Sequence, residues 1–201
     1  MQTEEDHPFK LYAPAGCRIL LIGTFPPTKK NWSYDFFYPN RQNLFWTIMA
    51  SVAGVALQYF SGAVAVEERK AILHTLKVAI TDMGLKISRT RESSLDEDLV
   101  ALEYMDILDI LDQYPKISKI LFTSSSGKAS ATQWFVNYLQ KQNILHRFPK
   151  GLKPLKSEFE YKGRKIELVI LYSPSRRAAN RISLANLTEM YRRELRPDQR
   201  F

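Results

Sequence analysis

Residues 18–27 read Arg-Ile-Leu-Leu-Ile-Gly-Thr-Phe-Pro-Pro, and residues 28–46 continue Thr-Lys-Lys-Asn-Trp-Ser-Tyr-Asp-Phe-Phe-Tyr-Pro-Asn-Arg-Gln-Asn-Leu-Phe-Trp. The apolar run Ile19–Ile22 stops at Gly23 and has no polar alternation. That pattern predicts a strand buried on both faces, as in a parallel sheet. Pro26 and Pro27 bar both strand and helix from continuing. A long loop follows, carrying Trp32, Tyr34, Phe36, Phe37 and Tyr38 together with Lys29, Lys30, Asp35 and Asn40. Asn43 is a good N-cap for a helix through Leu44, Phe45, Ile48 and Met49. Ligands of open α/β sheets bind beyond the carboxyl ends of strands. An aromatic and basic loop at such an end is suited to holding a nucleobase.

Outward from this stretch, short apolar strands alternate with helical periodicities. Val78–Met83 reads as a second strand, ending in a polar loop over 81–91. Lys119–Thr123 reads as a third, followed by Ser124-Ser-Ser-Gly-Lys128, which opens a helix through Trp134, Phe135, Tyr138 and Leu139. Residues 155–161 and 164–171 flank Lys162-Gly163 and predict a hairpin. Helices are predicted over 66–77, from a Ser94/Glu97 capping box through Leu99 and Leu102, over 105–114, and from Ser183 through Leu195. Residues 1–10 are polar and are expected to fray. The whole predicts one α/β domain over 1–201, a three-layer αβα sandwich around a short, mostly parallel central sheet with an added hairpin.

Composition limits the function classes. The 201 residues carry a formal net charge of +8, with Lys and Arg numbering 29 against 21 acids. Acids crowd 92–112, whereas bases dominate 141–165 and 176–200, an asymmetry that suits a polyanion such as nucleic acid. No apolar run approaches the roughly 18 residues of a membrane span. The acidic start, Met-Gln-Thr-Glu-Glu-Asp, carries no apolar signal core, so a cytoplasmic, monomeric protein away from membranes is expected. The sole cysteine, Cys17, excludes an internal disulfide and any multi-cysteine zinc or iron–sulfur site. His7, His74 and His146 are far apart in sequence, so neither metal nor cofactor is expected. Ser124–Lys128 lacks the spacing of a phosphate loop, and no Gly-x-Ser-x-Gly nucleophile elbow is present. Tyr172-Ser-Pro-Ser-Arg-Arg-Ala-Ala-Asn180 is more telling. Its hydroxyls and backbone N–H groups suit phosphates, and Arg176 or Arg177 is placed to enter a duplex.

Taken together, these segments resemble the uracil-DNA glycosylase superfamily, nearest its mismatch-specific uracil/thymine branch. That branch has Gly-x-Asn-Pro-Gly after a hydrophobic strand, matched here by Gly23-Thr24-Phe25-Pro26-Pro27. An aromatic segment follows (Phe36-Phe37-Tyr38), then Asn-x-Phe-Trp (Asn43-Leu44-Phe45-Trp46). A middle strand ending in Thr-Asp is matched by Ile80-Thr81-Asp82-Met83, and the last Pro-Ser turn by Ser173-Pro174-Ser175-Arg176-Arg177. The resemblance implies a base-excision enzyme acting on DNA that contains uracil or a related deaminated or mismatched base. The base is flipped from the stack and its N-glycosidic bond hydrolysed. In that scheme Phe37 stacks on the base, with Phe36 or Tyr38 as alternatives. Phe25 lines the pocket, and Asp82 or Asn43 reads the base edge. Ser173 and Ser175 hold the DNA near the scissile nucleotide, and Arg177 or Arg176 wedges the duplex. The pattern departs at two places. Phe25 stands where the family has its water-orienting Asn or Asp, and Ser173 where active branches have His or Asn. One branch uses a Glu at the position of Thr24, but with an iron–sulfur cluster that one cysteine cannot build. Thr24, Asp35 and Asp82 remain the candidates for orienting water. The alternative is a glycosylase-fold protein that binds DNA or a nucleobase with catalysis lost or redirected.

Overall fold

A computed structural model of the chain describes residues 2–90, 98–125, 127–176 and 182–196. The fold is mixed α/β, with two sheets and five helices among the described residues. The five-stranded sheet has the order β3 (Val78–Asp82), β2 (Ile19–Gly23), β6 (Lys119–Phe122), β8 (Arg164–Ile170), β7 (Leu155–Tyr161). The first four strands run parallel, and β7 pairs antiparallel with β8 as the predicted hairpin. Every residue of β2 and of β3 is buried, which is why neither sequence alternates.

Two apolar clusters cover the faces of this sheet. Leu20, Ile22, Ile120 and Phe122 pack with α3 (Ile107–Gln113) and α4 (Ala131–Lys141). Leu21, Ile80, Leu121 and Val169 pack with α1 (Phe45–Ala53), α2 (Gly62–Leu76) and α5 (Leu184–Leu195). Alternate residues of each central strand thus feed opposite faces. Each fully buried Leu or Ile contributes about 1.5–3 kcal/mol relative to exposure. The helix starts follow local chemistry. Ser183 accepts from the Asn186 N–H at α5, and Ser130 from the Gln133 N–H at α4. Helix α4 begins at Ala131, after Ser124–Lys128 rather than on it.

The second sheet, β1 (Gln2–Asp6), β4 (Gly84–Thr90) and β5 (Leu99–Tyr104), is antiparallel throughout and overturns three expectations. Residues 2–6 do not fray. They pair with β4, with Glu4 bridged to Lys86 and Glu5 to Arg89. Residues 84–90 are a strand instead of a polar loop. Leu99 and Leu102 lie on a strand, not on a helix, while the Ser94/Glu97 capping box lies outside the described residues. Beyond His7 the chain runs along the free edge of β3, where Tyr12 and Ile80 exchange backbone hydrogen bonds of 3.1 and 2.9 Å. That cover protects an edge that would otherwise invite intermolecular pairing. No helix among the described residues is long and apolar enough to cross a membrane.

Candidate functional site

Because β3, β2, β6 and β8 run parallel, the loops that follow them emerge at one end of the sheet. The ladder carries on beyond β2 and β3: Met83 and Gly84 donate to the carbonyls of Gly23 and Thr24 at 2.9 and 3.0 Å. Asp82 pairs with Gly23 in the register of β2 and β3, and its side chain folds over that glycine. A Cβ at Gly23 would sit 2.1 Å from Asp82 Oδ1, so only glycine leaves the carboxylate its place. The Tyr38 hydroxyl, at φ 51°, reaches across to Thr123 Oγ1 at 2.5 Å and ties the aromatic loop to the end of β6. The Trp46 indole N–H fixes the loop from below by donating to the Phe37 carbonyl at 2.9 Å.

The two motif-bearing loops meet. Leu44 N–H donates to the Pro174 carbonyl at 3.0 Å, joining the start of α1 to the Ser-Pro-Ser turn after β8. Ser173 Oγ accepts from the Ser175 N–H at 3.2 Å, which sets that turn. Asn43 caps α1 from one residue before its N-cap, accepting from the Phe45 N–H at 2.9 Å. Its carbonyl oxygen therefore serves the helix. Arg176 is exposed, and Arg177 lies outside the described residues.

His7 enters this site from the end of β1, and nothing local in the sequence pointed to it. Its Nε2 lies 3.0 Å from Asp82 Oδ2, with side-chain exposures of 1% and 9%. A carboxylate only accepts, so Nε2–H donates. Nδ1 lies 2.7 Å from the Phe9 carbonyl oxygen and 3.2 Å from the Phe9 N–H, so it has a partner with or without a proton. The imidazole also packs edge-on against Phe25 at 5.1 Å and tilted by 30° on Phe37 at 5.8 Å. A pair of buried polar groups satisfied in this way can persist among apolar rings, where an unpaired one could not.

Arg89 holds this arrangement from behind. Its guanidinium forms a bidentate pair with Glu5 at 2.7 and 3.0 Å and donates to the Pro26 carbonyl at 2.9 Å. One buried cation thereby joins β1, β4 and the Pro-Pro corner, and it lies over the Phe25 ring at 5.8 Å.

The structure places the sequence-predicted site residues as follows. Phe37 is 0% exposed, and one face carries the His7 imidazole, so it offers no open surface to a stacking base in this conformation. Phe25 is buried in contact with His7 and Arg89. Asp35 is exposed and lines a cleft of about 410 Å³ with Lys29, Trp32, Gly62 and Glu67; that lining includes none of Thr24, Asp82 and Ser173. Its exposure arises because Tyr34 and Phe36 on either side turn inward, leaving the intervening side chain outside. Thr24 and Asp82 are both buried at neighbouring strand ends, while Ser173 is partly exposed after β8. Among the described residues no group of three or more His, Cys, Asp or Glu side chains is placed to hold a metal ion.

No protein-family model matches the chain. No curated protein matches it by sequence. Among solved structures, the chain is similar to the solution NMR structure of a protein from Methanosarcina acetivorans described as a "putative Uracil DNA glycosylase", at 18% identity, a TM-score of 0.59, and coverage of 98% of each chain. That likeness extends over the whole length and establishes a shared fold.

Proposed function

We propose that the protein is a base-excision glycosylase that flips a deaminated or mismatched base, uracil first among them, out of DNA and hydrolyses its N-glycosidic bond. The observation carrying this reading is the meeting of two loops distant in sequence, 24–44 and 173–176, through Leu44 and Pro174, at the end of the parallel sheet where β3 also ends in the buried Asp82. The description of the Methanosarcina neighbour agrees with it.

In the proposed reaction Asp82 accepts an N–H from the flipped base and fixes its orientation. The C1′–N bond breaks with its electron pair leaving on the base, and positive charge develops at the sugar. A water oxygen then adds to C1′, while its proton goes to solvent or to the departing base. The Ser173–Ser175 turn, through its hydroxyls, binds the phosphate beside the scissile nucleotide. Arg177 or Arg176 fills the space the base leaves. Thr24, buried beside Asp82, is the polar group of the first motif nearest in sequence to the usual water-orienting position.

Incubation with oligonucleotides containing uracil, hypoxanthine, xanthine or a mismatched thymine, followed by alkaline cleavage at abasic sites, tests the proposal. Strand cleavage at uracil is expected, and no cleavage at any of the four bases refutes it. A second reading has its own support in Phe25, which puts an apolar ring where water would be activated. On that reading the protein binds the same DNA, in a salt-sensitive manner, without releasing a base.

A further inference from the structure

The compartment between Asp82, Phe25 and Phe37 is filled by a flat, nitrogen-bearing ring belonging to the chain itself. That ring lies against Phe37 with its N–H on Asp82 Oδ2, and three aromatic side chains enclose it, Phe9 being the third at 5.9 Å. Packing alone does not require a histidine. A leucine or phenylalanine would serve the apolar walls, and an aspartate beneath it would be needless. Asp82 and the ring make sense as a matched pair: a buried carboxylate that needs one N–H donor presented at the edge of a planar ring.

The ring also sits on the part of the fold best placed to leave. His7 directly follows β1, which pairs with β4 at the edge of the three-stranded sheet and exposes Thr3, Glu4 and Asp6. Beyond the ladder, Glu5–Arg89, Glu4–Lys86 and the bond from His7 N–H to the Leu85 carbonyl hold it in place. Short, exposed edge elements open locally at a small fraction of the global unfolding free energy.

We infer that His7 is a built-in surrogate for the substrate base and determines which bases the site accepts. A base enters only by displacing the imidazole, and it succeeds if it offers Asp82 the same ring N–H. Lactam bases do so: uracil, thymine, hypoxanthine and xanthine each carry a protonated ring nitrogen on their pairing edge. Cytosine and adenine present a ring lone pair there, which faces the carboxylate and is rejected. The ligand class rests on the glycosylase reading, whereas the occupied compartment does not.

His7→Ala empties the compartment without touching Asp82. Calorimetric titration of this variant with imidazole, uracil, hypoxanthine and cytosine reads the result. Imidazole, uracil and hypoxanthine are expected to bind, cytosine is not, and uracil is expected to bind about ten-fold or more tightly than to the native protein, because the closed population no longer competes. On the native protein, carbethoxylation of His7, mapped by mass spectrometry against His74 and His146, is expected to accelerate when a uracil-containing oligonucleotide is added. That measurement decides the matter if the variant does not fold. A folded His7→Ala that takes up neither imidazole nor uracil overturns the inference, as does protection of His7 by the oligonucleotide. Uptake of imidazole without uracil overturns the ligand class. If the rings bind as expected and no uracil is excised, the glycosylase reading falls and the surrogate stands; if uracil is excised while the compartment stays closed to both rings, the reverse holds.

Discussion

Gly23→Ala places a methyl group 2.1 Å from Asp82 Oδ1 and 3.2 Å from the Tyr38 hydroxyl, whereas real Cβ contacts essentially never fall below 3.0 Å. Two costs follow. Forcing a methyl into a packed site costs about 1–3 kcal/mol. Pushing Asp82 aside also breaks its bond to the buried His7 imidazole, and a hydrogen bond to a charged group is worth about 1.5–3 kcal/mol. The expected loss is therefore roughly 2.5–6 kcal/mol, with the lower half favoured because one movement of Asp82 relieves the clash. Urea denaturation of the native protein, Gly23→Ala, Asp82→Ala and the double variant measures it. Once Asp82 is truncated, the sub-3 Å contact is gone and the Tyr38 hydroxyl at 3.2 Å remains, so the second substitution costs about 1 kcal/mol or less. A coupling energy of about 2 kcal/mol or more is expected. Additivity within about 0.5 kcal/mol refutes the claim that the Asp82 carboxylate occupies the space above Gly23.

Arg89→Met leaves Glu5 and the Pro26 carbonyl without their cation and is expected to cost about 3 kcal/mol in urea denaturation, at the low end for a broken buried pair because Glu5 is partly exposed. Trp46→Phe keeps an aromatic ring but strands the buried Phe37 carbonyl, and it should destabilise by about 1–3 kcal/mol in the same assay. Burial pushes the pKa of His146 below its usual 6.5, so the unfolded chain binds more protons between the two values. Its contribution is complete above pH 6.5 and is lost as pH falls through the depressed folded value; the thermal midpoint of His146→Gln should therefore drop less on acidification than that of the native protein. Arg176→Ala is expected to weaken binding to duplex DNA across sequences and to reduce the salt slope by about one, measured by fluorescence anisotropy at several salt concentrations.

The site and the fold share one dependence. Arg89 fixes both the Pro-Pro corner after β2 and the strand that carries His7. Loosening β1 thus changes stability and access to Asp82 together. On the proposal that His7 stands in for the base, stabilising substitutions on β1 suppress base entry.

Much of the frame was legible in the residues alone. The apolar runs 19–22, 78–80 and 120–122 declare buried strands, Lys162-Gly163 declares its hairpin, and Ser183 its helix, because each signal is local. The Gly23 and Asp82 motifs were also legible as residue types. Their partnership was not. β1 is Gln-Thr-Glu-Glu-Asp, a sequence without strand periodicity, and it becomes a strand only because β4 supplies hydrogen bonds and cations from 80 to 88 residues away in the ladder Gln2–Thr90 to Asp6–Lys86. Leu99 and Leu102 stand three apart, as on one helical face, yet pairing with β4 makes the segment a strand that buries Leu99 and exposes Leu102. The same long-range pairing delivers His7 to Asp82 and closes the face of Phe37. Local chemistry thus determined which strands end in Gly23 and Asp82. Only tertiary pairing decided what fills the space above them, because the occupying ring arrives on a segment whose structure is made entirely by its partners.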